Sequence, residues 1–326
     1  MIDASILKAN LFGPIPLAFI LGGFSRLIKS NFSLPKQLYA SLTIYLLFSI
    51  GLKGGYELSH ASFHEISLPI LATLLIGVIT PITAFFTAKK LFGFSHLDAT
   101  SMAAHYGSVS AVTFIAAGQF IQHTGVSVEG FMPTLLAVLE SPGILVALII
   151  GSLDSSSGEK ISPSKLGEII REIVSGPTII LLLGGILIGY TSGETGWSGI
   201  SPFFQAGFKG ALMLFILEMG IVAADKGRDL LSAGKSMILF GTMMPLLHGA
   251  LGVVVGKAFG LSLGGTTIFA TMASSASYIA APSAIKLAFP ERNHSIPLTS
   301  ALAITFPFNI LVGIPAYYHL ATLLFR

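Results

Sequence analysis

From Leu11 to Leu324 the chain is a succession of apolar runs, with most of its charged residues at their ends or in the intervals between them. A run of about 20 apolar residues is what a helix needs to cross roughly 30 Å of hydrocarbon. Inside hydrocarbon the backbone must satisfy its own hydrogen bonds. The runs therefore predict an all-α integral membrane protein. The composition agrees: 53% of the 326 residues are hydrophobic and 10% are charged, against roughly 25% charged in a typical soluble domain. The first run is one of many, so it is not read as a removable signal, and secretion is excluded. A net charge of +3 does not imply nucleic-acid binding, because the basic residues sit at the ends of apolar runs and form no basic face. With no cysteine there are no disulfides, thiolate ligands or Cys nucleophile. The 36 glycines suit helices that pack closely or break within a bilayer.

Ten spans are expected, at 10–28, 38–58, 66–91, 97–122, 130–152, 175–191, 203–224, 234–259, 263–289 and 295–323. The most polar interval, DSSSGEKISPSKLGEIIRE from Asp154 to Glu172, reads as a solvated linker with a short amphipathic helix at its end. The halves on either side resemble each other. GPIPLAFILGG from Gly13 matches GPTIILLLGG from Gly176, and LFSIGLKGG from Leu47 echoes LEMGIVAADKG from Leu217. The Phe92-Gly93 and Phe259-Gly260 pairs end comparable spans, and Pro133 and Pro142 stand against Pro297 and Pro307. HYGSVSAV from His105 aligns with MASSASYI from Met272, placing Ser108 on Ser275 and Ser110 on Ser277. The reading is a five-helix repeat at 1–153, a linker at 154–174 and a second five-helix repeat at 175–326. Five is odd, so the second copy enters the membrane from the opposite side and the repeat is inverted. Thirteen Lys and Arg fall on the linker's side and five on the other, which predicts a cytoplasmic linker and external termini in a plasma (inner) membrane.

Inverted repeats with a polar interruption at matching positions point to the binding site of a secondary transporter. If spans four and nine break near Gly107 and Ser274 and cross at mid-membrane, the second half of each begins there with amides that lack an intrahelical partner. Each helix start carries about half an elementary charge, so two together suit a monovalent anion. The expected anion site comprises His105, Gly107, Ser108, Val109 and Ser110 in the first copy, and Ser274, Ser275, Ala276 and Ser277 in the second. The four serines at 108, 110, 275 and 277 are expected to offer hydroxyl donors, and Ala104, Ala111, Ala273 and Ala276 to keep the space small. No Lys or Arg lies in either segment, which disfavours a divalent anion. The competing reading is that small residues and serines merely let helices cross closely.

Glu140 sits deep in span five, where an isolated carboxylate requires a partner or a cation. Thr305 aligns with Glu140, and Asn309 occupies a related place. With the hydroxyls of Ser110 and Ser277, these oxygens form the candidate sodium ligands. Glu218 is expected in a structural or subunit-interface pairing, and His248 as a satisfied interior residue. Lys53, Lys89 and Lys90 are expected to snorkel. An enzyme is not expected: His105 and Ser108 share a helix face, but there is no G-x-S-x-G, no HExxH and no acid placed to orient the histidine. A passive anion channel and a sodium-coupled carrier of another small monocarboxylate are the alternatives.

Through HYGSVSAVTF, LESPGILVA at Leu139, ASSASYIAAPSA at Ala273 and TFPFNILVGIP at Thr305, the chain resembles the sodium-dependent bicarbonate transporters of the cyanobacterial type over essentially its whole length. The resemblance implies a core of spans three to five and eight to ten, a scaffold of spans one, two, six and seven, and a homotrimer. It also implies sodium-coupled bicarbonate uptake (symport) by an elevator movement of the core, with sodium as coupling ion and no other cofactor. The resemblance also brings a PII-like regulatory protein as a candidate partner, against which stands the short stretch between Gly151 and Ser175, since family members so controlled carry a longer cytoplasmic segment.

Overall fold

The computed structural model describes residues 12–152, 163–227, 230–289 and 295–326. The described residues form helices joined by turns and short irregular stretches, with no strand among them. In the first half, α1 is Pro14–Leu27, α2 is Lys36–Leu58, and α3 is Phe63–Leu91, the last five residues of which form a π-helical turn. Then follow α4 (His96–Gly107), α5 (Ala111–Thr124), α6 (Met132–Leu139) and α7 (Pro142–Ser152). The second half has α8 (Pro163–Val174), α9 (Pro177–Phe204), α10 (Phe208–Gly227), α11 (Leu230–Ala258), α12 (Leu263–Ser274) and α13 (Ala280–Ala288). The last span, α14 (Ile296–Leu324), contains π-helical turns at Ser300–Thr305 and Asn309–Gly313.

The boundaries have local causes. Ser62 accepts from the Glu65 amide while Glu65 accepts from the Ser62 amide, a capping box that starts α3. Ser95 and Ser262 cap α4 and α12 by accepting the Asp98 and Gly265 amides. Gly125, at φ +71°, ends α5 in the left-handed region.

Among the described residues six helices are long and apolar enough to span a bilayer: Lys36–Leu58, Phe63–Leu91, Met132–Ser152, Pro177–Phe204, Gly234–Ala258 and Ile296–Leu324. Four of the ten expected spans are not among these six: 10–28 and 203–224 appear as the 14-residue α1 and the 20-residue α10, while 97–122 and 263–289 are each interrupted, and neither half alone reaches 20 residues. The expected span 175–191 differs more. The helix continues to Phe204 across a kink at Gly193 (φ 56°, ψ −157°). Polar GETGWSG reads as loop by composition, yet Trp197 stacks on Tyr56 at 5.4 Å and Tyr45 stacks on Phe204 at 5.7 Å, which holds the continuation against α2.

Helices of the two halves pair. α1 lies along α10 and α2 along α9. At the α2–α9 crossing a Cβ on Gly51 would come within 2.6 Å of the Leu182 carbonyl oxygen, so backbone meets backbone. Such crossings rely on small residues, because lipid supplies no hydrophobic force between helices. α3 packs on α4 and α7, and α11 packs on α12 and α14. Two apolar clusters fill the interior, and Tyr278 packs against both. The amphipathic α8 buries Ile169 and Ile173 in the second cluster and rests on α13.

Candidate functional site

Both serine segments are helix breaks. α4 ends at Gly107, Ser108 is extended (φ −106°, ψ 174°), and Ser110 caps α5 by accepting the Thr113 amide at 3.2 Å. α12 ends at Ser274, Ser275 is extended (φ −79°, ψ 166°), and α13 starts only at Ala280. The two breaks touch. The Ser110 amide donates to Ser275 Oγ at 2.9 Å, and the Ser277 amide donates to the His105 carbonyl at 2.8 Å. Every residue of the expected anion site is buried, from His105 at 0% to Ser110 at 4% exposure. The first break is wedged from two sides. A Cβ on Gly107 would lie 2.6 Å from Pro81 of α3, and a Cβ on Gly143 of α7 would collide with the Gly107 carbonyl.

The four hydroxyls divide into two kinds. Ser108 Oγ donates to the Glu140 carbonyl at 2.7 Å and Ser275 Oγ to the Met272 carbonyl at 2.8 Å, so their single protons are already engaged. Ser110 and Ser277 act instead as acceptors, from Thr113 and from the Ala281 amide at 3.3 Å. Their protons point to no protein acceptor in these bonds. At the start of α5 the amides of Ala111 and Val112 have no intrahelical partner. The second break is less regular than the alignment implies. Ile279 occupies the cap position (φ −116°, ψ −61°) with no side-chain cap, and Pro282 has no N–H to offer.

The expected sodium ligands have different hydrogen-bond partners. Asn309 joins the second break: its Nδ2 donates to the Ser274 carbonyl at 3.1 Å, and its Oδ1 accepts from Tyr317 at 2.9 Å. Thr305 turns the other way, donating to the Gly241 carbonyl at 2.8 Å and sharing the Tyr106 hydroxyl at 2.6 Å. Glu140 lies between α6 and α7, tied to the first break through its carbonyl. No hydrogen bond joins Glu140 to Thr305 or Asn309. Among the described residues no three His, Asp or Glu side chains are grouped to hold a metal. A sodium site built from hydroxyl and carbonyl oxygens needs no such group.

Two other residues have structural partners. Glu218 accepts from the Leu34 amide at 2.9 Å, fixing the entry to α2. His248 Nε2 lies 2.8 Å from Thr83 Oγ1 across α11 and α3. His105 Nδ1 lies 2.8 Å from the Ser101 carbonyl one turn back, which places a proton on that nitrogen.

Sequence reasoning passed over Tyr278. It stands in the second break, its hydroxyl is buried, and it lies beside Ser110. A signal was there to be found. In the internal alignment Tyr278 falls on Ala111, so the repeat departs from itself with a large, polar-tipped side chain at the site.

A family model described as the Na+-dependent bicarbonate transporter superfamily matches residues 14–322, nearly the whole chain. No curated protein matches.

Proposed function

The chain belongs to the Na+-dependent bicarbonate transporter superfamily, and from that premise we propose that it is a sodium-coupled symporter that takes up bicarbonate at the junction of its two helix breaks. The observation that carries this reading is the pair of bonds joining the breaks, Ser110 amide to Ser275 Oγ and Ser277 amide to the His105 carbonyl. The start of α5 meeting the second break in a buried place free of Lys and Arg suits one small anion. The Ala111 and Val112 amides supply donors, with the hydroxyls of Ser110 and Ser277. Ser108 and Ser275 hold the breaks in shape.

In this reading ten helices form two inverted five-helix repeats in the plasma membrane, with the linker cytoplasmic. What supports it is that both breaks fall at equivalent positions of the repeat, and that α1 and α2 pair with α10 and α9. α3 to α7 and α11 to α14 would form the core that carries the site, moving against a scaffold of α1, α2, α9 and α10 in a trimer. Glu140 supplies the negative charge nearest the first break, and sodium there would have Ser110 as a neutral oxygen neighbour. Thr305 and Asn309 would reach the ion only by giving up their bonds to Gly241 and Ser274.

Uptake of labelled bicarbonate into proteoliposomes tests the reading. Accumulation is expected under an inward sodium gradient and not under an equal potassium gradient. Equal uptake under both would indicate a channel, and displacement by small monocarboxylates at lower concentrations than bicarbonate would indicate a carrier of those instead.

The two kinds of serine give a sharper expectation. Ser110→Ala and Ser277→Ala remove a donor to a charged ligand, a loss of about 1.5–3 kcal/mol, and raise the half-saturating bicarbonate concentration about 10- to 150-fold. Ser108→Ala and Ser275→Ala cost about 1 kcal/mol of stability each and move half-saturation far less. Saturation curves for the four variants decide it, and the opposite ranking would return the anion to Ser108 and Ser275.

A further inference from the structure

Two polar atoms beside the first break have no protein partner, and they are of opposite kinds. Glu140 is 2% exposed, and its Oε2 is buried with no hydrogen-bond partner among the described residues. The Tyr278 hydroxyl is buried too. It lies beside Ser110, whose hydroxyl is placed to donate to the phenolic oxygen and so leaves the Tyr278 O–H itself unmatched, and within electrostatic reach of Glu140. Each residue is anchored to the site by its backbone. Ser108 holds the Glu140 carbonyl at 2.7 Å, and Tyr278 follows Ser277, whose amide is bonded to His105.

A buried acceptor and a buried donor left unmade are each costly. Glu140 and Tyr278 do not satisfy each other, so the group that satisfies both must present a donor on one side and an acceptor on the other. Planar anions such as nitrate and formate present acceptors only. A singly protonated oxyanion presents an O–H and a charged oxygen together.

Resting on the function proposed above, we infer that Glu140 and Tyr278 read the proton of the substrate: the Glu140 carboxylate accepts the O–H of a monoprotonated oxyanion, and the Tyr278 hydroxyl donates to one of its charged oxygens. The proton stays on the substrate throughout. An anion without that proton turns a bare negative oxygen toward a buried carboxylate and is refused. Sites built to pair a substrate O–H discriminate strongly against analogues that lack it, because the site's own group is then left unpaired. The arrangement also gives the coupling ion a role. A carboxylate and an anion in contact carry two negative charges, and a cation beside them makes joint occupancy favourable.

The experiment uses the full-length transporter in proteoliposomes under an inward sodium gradient, with nitrate and formate competing against labelled bicarbonate. In the wild type, neither competes even in large excess. Glu140→Gln keeps an acceptor for the substrate O–H and adds an N–H donor, so nitrate and formate become competitors, their inhibition constants falling about tenfold or more. Tyr278→Phe weakens bicarbonate about tenfold or more while nitrate and formate stay excluded. A Glu140→Gln transporter with the wild-type competition profile overturns the inference. Should Glu140→Gln fail to insert, Tyr278→Phe decides alone, and wild-type half-saturation in that variant overturns the inference equally. If the wild type itself takes up no bicarbonate, the functional reading has failed and not this assignment.

Discussion

Gly143→Ala is expected to reduce bicarbonate uptake to background and to lower the melting temperature of the detergent-solubilised protein more than any serine variant. The added methyl has nowhere to go. It would overlap the carbonyl group of Gly107, and a backbone carbonyl at a helix end cannot swing aside as a side chain can. Overpacking a well-filled interior costs about 1–3 kcal/mol, and this position belongs at or above the top of that range. Function should suffer beyond stability. Gly107 ends α4, so displacing it moves Ser108 off the Glu140 carbonyl and shifts the α5 amides with it. Gly118, in α5 with open space at its Cβ position, supplies the control: Gly118→Ala should leave both measurements near wild type. Wild-type melting in Gly143→Ala would mean that α7 does not press on the first break.

Asn309→Ala is the second large effect. Asn309 is fully buried, donates to the Ser274 carbonyl at 3.1 Å and accepts from Tyr317 at 2.9 Å. Ser274 ends α12, so its carbonyl has lost its helical partner and depends on this amide. Alanine strips that carbonyl bare and leaves a gap, together about 2–4 kcal/mol. Tyr317 retains the Pro245 carbonyl at 2.9 Å, which limits the damage on its side. Asn309→Asp separates the two roles. It keeps the acceptor for Tyr317 but sets an oxygen against the Ser274 carbonyl, so it should melt no higher than the alanine variant. A thermal shift series with bicarbonate and sodium checks both, and wild-type melting in Asn309→Ala would show that the second break holds its shape unaided.

The first break was legible because glycine and serine interrupt an apolar run where lipid tolerates neither idly. The start of α13 was not. Tyr278 and Ile279 look helical in composition, and only the absence of a side-chain cap at Ile279 and the proline at 282 delay the helix to Ala280. The extension of α9 past Gly193 was hidden for the opposite reason. Its residues are polar, and what holds them is aromatic stacking on α2, a contact far away in sequence. Grouping Glu140 with Thr305 and Asn309 relied on aligned positions. The π-helical turns of α14 alter the angular spacing of its side chains, and composition carries no trace of such turns. Thr305 therefore faces Gly241 and Tyr106 while Asn309 faces Ser274. Family membership, by contrast, was carried by contiguous segments, and these survive any error in helix boundaries.

The pairing of α1 with α10 and of α2 with α9 sets a timetable for the growing chain. Each of these helices leaves the ribosome more than a hundred residues before the partner whose backbone it will touch. At about 5–20 residues per second, that is a wait on the order of ten seconds. During it the glycine faces of α1 and α2 lie against lipid, or against whatever insertion factor shelters them. Neither half can be finished while the other is missing, so quality control that samples an incomplete chain will meet an unclosed helix face in every molecule, including those destined to fold correctly.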